Sequence, residues 1–238
     1  QMEADIRKNI ASEAGYKHEV LALFSEDGEG VFQNQFIDAS KADYSYNGLR
    51  PIEGRIYGLG VDWNDPGNGT TIRISEYDPV SFKYRTVYKD NVSIEGWTQT
   101  TAVRRVVELN RIWRPAFLYV DQGYGTTQIE NLHEIGTKAP IASIDRQLLK
   151  VKGISFKSNV EVYDPFNKQK VKKEMKFFMV NNTVRILENK LIDISVEDTL
   201  LFKQLEGYHI DRYTPVGAPV YKPGKFGDHD LDALMLSL

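Results

Sequence analysis

The stretch Arg55-Ile56-Tyr57-Gly58-Leu59-Gly60-Val61-Asp62-Trp63 is mostly apolar, carries one carboxylate next to its end, and runs straight into Asn64-Asp65-Pro66-Gly67-Asn68-Gly69. An apolar run bounded by turn residues predicts a strand, with Asp62 at its outgoing edge. Thr70–Tyr77 predicts a second, since Ile72 and Ile74 alternate with Thr71, Arg73 and Ser75. After the turn Asp78-Pro79-Val80-Ser81, Lys83–Val92 alternates again. Three strands joined by short turns should form an antiparallel meander.

Downstream the period changes. Trp97–Trp113 has Val103, Val106, Val107, Leu109 and Ile112 at helical spacing and closes on Arg114-Pro115. Ala116–Val120 is short and wholly apolar, as in a buried central strand. A crossover helix between the meander and this run makes it parallel to the first strand. A Gly-containing loop, a helix near Thr126–Ile135 and a strand near Pro140–Ile144 continue the alternation. The expected class is α/β: a mixed sheet, antiparallel meander plus parallel strands, with helices on both faces.

The remainder reads less regularly. Val160–Tyr163 followed by Asp164-Pro165-Phe166-Asn167 predicts a hairpin, inside a basic insertion near 151–176. Helices are expected near Lys173–Asn189 and Val196–Leu205, and short strands at Tyr208–Tyr213 and Ala218–Tyr221. Upstream, Asp5–Phe24 carries Ile6, Ile10, Ala14, Leu21 and Phe24 on a loose helical stripe, before the turn-rich Ser25-Glu26-Asp27-Gly28-Glu29-Gly30. Residues 1–50 read as an arm or linker and 51–238 as the main domain, both ends being cut from something longer.

Composition excludes several classes. With 41% hydrophobic and 26% charged residues among 238, the chain can build a core of ordinary size. It has no cysteine, which removes disulfides, thiolate metal sites and cysteine nucleophiles. No run of about 18 apolar residues offers a membrane span, and the N-terminus lacks the regions of a signal peptide. A net charge of −3 means that any polyanion-binding surface is local. The candidate is the lysine-rich stretch from Lys150 to Lys176, with Lys168, Lys170, Lys172 and Lys173 as its phosphate contacts. A merely solvated charged loop would look the same.

Asp121 follows Phe117-Leu118-Tyr119-Val120 as Asp62 follows its own strand. Catalytic groups in open α/β sheets collect beyond the carboxyl ends of strands, and neighbouring strands lie about 4.8 Å apart. Two carboxylates so close repel, which a divalent cation relieves. Oxygen ligands without sulfur suit Mg²⁺ or Mn²⁺, and a pair of such ions can activate water and stabilise the leaving oxygen in phosphodiester cleavage. Each aspartate alone is equally explained as a turn former or helix cap. The third element is Gly227-Asp228-His229-Asp230-Leu231-Asp232-Ala233-Leu234. Asp228 and Asp232 share a helix side with His229 beside them, while Asp230 points elsewhere. Capping explains Asp228 and dipole complementation explains Asp230. Asp232, set among apolar residues, needs a metal or a salt bridge.

Gly60-Val61-Asp62-Trp63, Tyr119-Val120-Asp121-Gln122-Gly123-Tyr124-Gly125 and Asp228-His229-Asp230-Leu231-Asp232-Ala233-Leu234 together resemble the C-terminal nuclease domain of tailed-bacteriophage large terminase subunits, which is ribonuclease H-like. The resemblance covers about Arg55 to the end. It implies that Asp62, Asp121 and Asp232 bind two Mg²⁺ or Mn²⁺ ions, with His229 auxiliary and Asp228 a possible partner. It further implies an endonuclease cutting double-stranded DNA during viral genome packaging, with the small terminase subunit and the procapsid portal as partners. The setting would be the cytoplasm of the infected bacterial host, away from membranes. The family's ATPase motif Gly-x-x-x-x-Gly-Lys-Ser/Thr is missing; Gly224-Lys225 lacks the rest of it. Other readings are a junction resolvase, transposase or hybrid nuclease of the same fold, and a catalytically idle DNA-binding or assembly module.

Overall fold

In a computed structural model, residues 30–63, 69–92, 98–164, 168–214 and 218–238 are described. The helix expected over Asp5–Phe24 lies outside them. In chain order the elements are α1 (Asn34–Ser40), β1 (Lys41–Ala42), β2 (Ile56–Trp63), β3 (Thr70–Asp78), β4 (Lys83–Val92), α2 (Gln99–Trp113), β5 (Phe117–Asp121) and α3 (Thr126–Lys138). A 3₁₀ helix (Ile144–Lys150), β6 (Lys152–Ile154), β7 (Asn159–Asp164), β8 (Gln169–Glu174) and α4 (Met175–Glu188) follow. The last are β9 (Ile192–Ser195), α5 (Thr199–Gly207), β10 (His209–Tyr213), β11 (Pro219–Lys222) and α6 (His229–Ser237). None of these helices is long and apolar enough to cross a membrane.

The chain divides into two compact units. The sheet unit comprises 41–155, 192–198 and 229–238. Among the described residues seven strands form its mixed sheet, in the order β1-β9-β4-β3-β2-β5-β6. The meander is present, β2 and β4 each running antiparallel to β3. β5 is parallel to β2, from Gly58 opposite Phe117 to Val61 opposite Val120. The crossover α2 starts where the Thr98 hydroxyl accepts from Thr101 N at 3.0 Å. It ends where Arg114 turns left-handed ahead of Pro115.

Two expectations are corrected. Pro140–Ile144 is not a strand; the third parallel strand on that side is β6. Pro140 cannot donate to a ladder, and Ile141 is 91% exposed instead of packed. The chain there turns into the 3₁₀ helix, started by Ser143 Oγ accepting from Asp145 N and held by Arg111, which donates to both oxygens of Asp145 at 2.9 and 2.7 Å. The edge strand β1 and its neighbour β9, parallel to each other and to β4, lie where no strand was expected.

Pleating divides β2 between two environments. Tyr57, Leu59, Val61 and Trp63 join Ile72, Ile74, Val103, Val106, Leu118, Val120 and Leu132 in the main core. Gly58, Gly60 and Asp62 fall on the other face, which α6 covers. A methyl at Gly60 would stand 2.1 Å from the Ala233 carbonyl oxygen, and one at Gly58 2.3 Å from that of Ser237. The helix therefore rests on bare backbone.

The neighbouring residues of β3 on this face are Arg73 and Ser75, opposite Gly60 and Gly58. Ser75 Oγ shares a 2.7 Å hydrogen bond with Ser237 Oγ. Arg73 is fully buried and donates to Asp198 Oδ2 at 2.6 Å, to Asp198 Oδ1 at 3.0 Å, and to Asp230 Oδ1 through both Nε (3.1 Å) and its second terminal nitrogen. Lys89 and the Tyr46 hydroxyl also donate to Asp198, at 3.0 and 2.8 Å. Burial acts to discharge Arg73, but the charges of Asp198 and Asp230 outweigh it and raise its pKa. Burial likewise acts to raise Asp198, yet Arg73, by charge and hydrogen bond, and then Lys89 hold it down to about 2.

The second unit holds 156–191 and 199–228 with the described residues 30–40. It contains the hairpin β7–β8, the hairpin β10–β11 and helices α4 and α5. Helix α4 starts at Met175 rather than Lys173, because Lys173 and Glu174 still pair across the hairpin with Val160 and Asn159. Apolar residues including Val180, Val184, Leu187, Leu201 and Leu205 are buried here.

Two outcomes follow for stability. Gly60→Ala should cost about 2 kcal/mol or more, because its Cβ meets backbone that cannot swing aside; an unchanged urea midpoint would refute that packing. A carboxyl held low in the folded state adds stability above its ordinary value of 3.8 and loses it as pH falls through about 2. The parent should therefore lose about 2 kcal/mol more than Asp198→Asn between roughly pH 5 and 2. Parallel stability curves for the two proteins would rule this out.

Candidate active site

Asp62 and Asp121 are next-door neighbours. β2 and β5 are in parallel register up to Val61 opposite Val120, so the next pair is Asp62 and Asp121. Both belong to the face that carries Gly60 and Tyr119, on strands about 4.8 Å apart, and they are only 5% and 9% exposed. The chain leaves β5 tightly: Gly123 N donates to Asp121 Oδ1 at 3.1 Å, fixing one carboxylate oxygen. A methyl on Gly125 would lie 2.3 Å from the Asp121 carbonyl oxygen and 2.2 Å from the Trp63 ring. The Gly-Tyr-Gly sequence is thus a packing requirement of the loop.

The third element arrives by geometry that can be counted. α6 runs antiparallel to β2, with Ser237 over Gly58 and Ala233 over Gly60. Four further residues of helix rise about 6 Å and two of strand about 6.6 Å. The match sets His229 over Asp62, where His229 Nδ1 lies 2.9 Å from Asp62 Oδ2. Asp230 and Asp232 lie about 160° apart around the helix. Asp230 turns to β3 and Arg73. Asp232, 6% exposed, is consequently on the opposite flank, the side of β5 and Asp121.

Asp62 and His229 are therefore in contact, Asp121 is beside Asp62, and Asp232 is on the helix flank toward Asp121. Among the described residues, however, no three His, Asp or Glu side chains stand gathered as a cage for an ion. Asp228 belongs to the second unit, where its carboxylate lies 3.7 Å from Lys176 Nζ, itself over the Phe156 ring at 4.6 Å. Asp230, Asp198 and Arg73 were not legible as site-supporting residues. The one available signal was a lone arginine within an apolar strand.

The predicted lysines separate by strand face. Cross-strand partners share a face, which puts Lys170 and Lys172 with Tyr163 and Glu161 on the exposed side of β7–β8. Lys170 Nζ is 3.7 Å from Glu161 Oε2. Lys168 is exposed at the start of β8. Lys173 is on the other face, half-buried, with Nζ 5.5 Å from the Phe177 ring centroid.

No protein-family profile and no curated protein sequence matches this chain. Solved structures do. The large terminase nuclease from thermophilic phage G20c with bound magnesium is 18% identical, covering 89% of this chain and 97% of its own, with a TM-score of 0.60. The same nuclease with bound cobalt has the same identity and coverage and a TM-score of 0.58. The large terminase of a second thermophilic bacteriophage is 17% identical, with a TM-score of 0.62; the match covers 99% of this chain and 51% of that one. This chain thus spans about half the length of that terminase. Its fold is that of the phage large terminase nucleases, a mixed ribonuclease H-like sheet flanked by helices.

Proposed function

We propose that this chain is a divalent-metal-dependent endonuclease that cuts double-stranded DNA as the nuclease part of a viral packaging terminase. The observation that carries the reading is the buried pair Asp62 and Asp121, side by side at the ends of parallel strands, with α6 delivering His229 onto Asp62. Two buried carboxylates side by side repel each other, which a divalent cation would relieve. The magnesium and cobalt of the G20c nuclease support the same chemistry on the same fold.

Asp62, Asp121 and Asp232, with His229 as auxiliary, fit a hard divalent ion as an oxygen-rich donor set, Mg²⁺ or Mn²⁺ in two positions. When bound, such ions supply Lewis acidity at phosphorus and an acidified water. The protein's own work is positional. His229 orients Asp62, the Gly123 amide orients Asp121, and Arg73 sets the rotation of α6 through Asp230. Lys168, Lys170 and Lys172 on the exposed hairpin face hold DNA phosphates, with Lys173 contributing less from its half-buried face. The Gly-x-x-x-x-Gly-Lys-Ser/Thr loop is missing from this sequence, so ATP hydrolysis and translocation fall to another segment or chain, and the small terminase subunit and portal are the expected partners.

Asp62→Asn should abolish Mg²⁺- or Mn²⁺-dependent plasmid cleavage, at least a hundredfold on the scale of about 3 kcal/mol typical of losing an essential electrostatic group, while thermal unfolding stays cooperative. Retained cutting refutes the scheme, and calorimetry showing no Mn²⁺ binding by the parent favours an idle DNA-binding module. Faster cleavage of branched or RNA–DNA hybrid substrates than of linear duplex would move the chain to a resolvase or hybrid-nuclease role. Changing Lys168, Lys170 and Lys172 together to Ala should weaken duplex binding and lower its salt dependence by about 2 to 3 in log–log slope. An unaltered slope would acquit the hairpin.

A further inference from the structure

The two later segments of the second unit are electrically unlike the rest of the chain. Residues 156–191 and 199–228 contain twelve Lys and Arg against seven Asp and Glu, leaving 18 against 26 elsewhere. Within these basic segments, one small constellation lies outside the hairpin. Gly224-Lys225-Phe226-Gly227 is a tight turn closed by Gly227 N donating to Gly224 O at 3.1 Å, with Gly227 in the left-handed region. Lys225 and Phe226 are its two central residues and both are exposed, Phe226 by 39%.

The turn is held rigidly at its base. Gln204 on α5 donates to the Phe226 carbonyl at 3.1 Å. Gly207 and Gly224 press backbone on backbone, so that a methyl at Gly224 would stand 2.9 Å from the Gly207 oxygen. The same α5 supplies Lys203. Its Nζ lies 5.2 Å from the Phe226 ring centroid and that of Lys225 lies 4.9 Å from it, both within cation–π range. Neither lysine has a carboxylate within 4.0 Å among the described residues. Two exposed ammonium groups are thus gathered about one exposed ring on a fixed turn, with no carboxylate of the described residues in ion-pair contact.

We propose that Lys203, Lys225 and Phe226 form a second DNA contact, separate from the hairpin lysines, in which the two ammonium groups take phosphates of the backbone and the ring packs on the sugar between them. The proposal rests on the nuclease reading for the identity of the polyanion, and it adds a contact three residues ahead of His229 in the chain. Charge complementarity selects a phosphodiester over an acidic surface patch, because an aromatic ring between point cations matches the sugar–phosphate alternation of a nucleic acid strand.

The test is duplex binding by the full chain in EDTA, where nothing is cut, followed by fluorescence anisotropy across a salt series. Lys203→Gln/Lys225→Gln should reduce the log–log salt slope by about 1.8, the share of two phosphates. Phe226→Ala should weaken binding with the slope kept. Lys83→Gln/Lys138→Gln, the same charge change on exposed lysines of the sheet unit, should leave the slope as in the parent. An unchanged slope in the Lys203/Lys225 variant overturns the assignment, as does an equal fall in the control pair, which would reduce the effect to net charge. Parent protein that fails to bind duplex at all removes both this contact and the nuclease reading. Parent protein that binds but does not cut with Mn²⁺ removes the nuclease reading alone, and the slopes still decide the turn.

Discussion

A fully buried guanidinium lies between the central sheet and its covering helix, and the geometry of the site follows from how it is neutralised. Arg73 is taken out of water by α6, which is tolerable only because Asp198 and Asp230 accept from it on two sides. Replacing such a cluster by apolar residues often leaves stability unharmed, so its value here is directional. The helix offers two aspartates, Asp230 and Asp232, on opposed flanks, and Arg73 can engage only one. By taking Asp230 it commits Asp232 to the flank of β5. A helix turned by about half a revolution would present the wrong acid to each neighbour.

The same division of labour appears in β2. Its odd-numbered residues are large and apolar and belong to the core, while its even-numbered ones shrink to glycine until the last, which is Asp62. Two missing side chains admit α6 to van der Waals distance of the strand. That approach is what brings an imidazole and a carboxylate from residues 167 positions apart within 2.9 Å. The acidity of the pair and the closeness of the helix are two results of one pattern.

Much of this was legible before the structure. The meander, the crossover helix and the parallel β5 follow from period and turn chemistry, and the register of β5 against β2 is what sets Asp121 beside Asp62. A strand near Pro140 is expected from the alternation of helices and strands alone, and the proline, the exposed Ile141 and the Arg111–Asp145 bridge decide against it. Strands β1 and β9, of two and four residues, are too short to show a period. Asp230 looked like a dipole-complementing surface acid because its partner lies 157 residues away. No local pattern encodes such a contact, and a lone arginine within an apolar strand is its one trace in the sequence. The face of Lys173 was likewise hidden until the hairpin register was known.

The packing of α6 on Gly58 and Gly60 also imposes an order of events. A ribosome delivers Asp62 and Asp121 more than a hundred residues before His229 and Asp232, and the pairings that unite them are among the most distant in the chain, the kind that form late. Until α6 docks, the two strand-end acids lie on an uncovered sheet face, without the imidazole of His229. The imidazole of His229 therefore reaches Asp62 only when α6 packs on the bare backbone of Gly58 and Gly60.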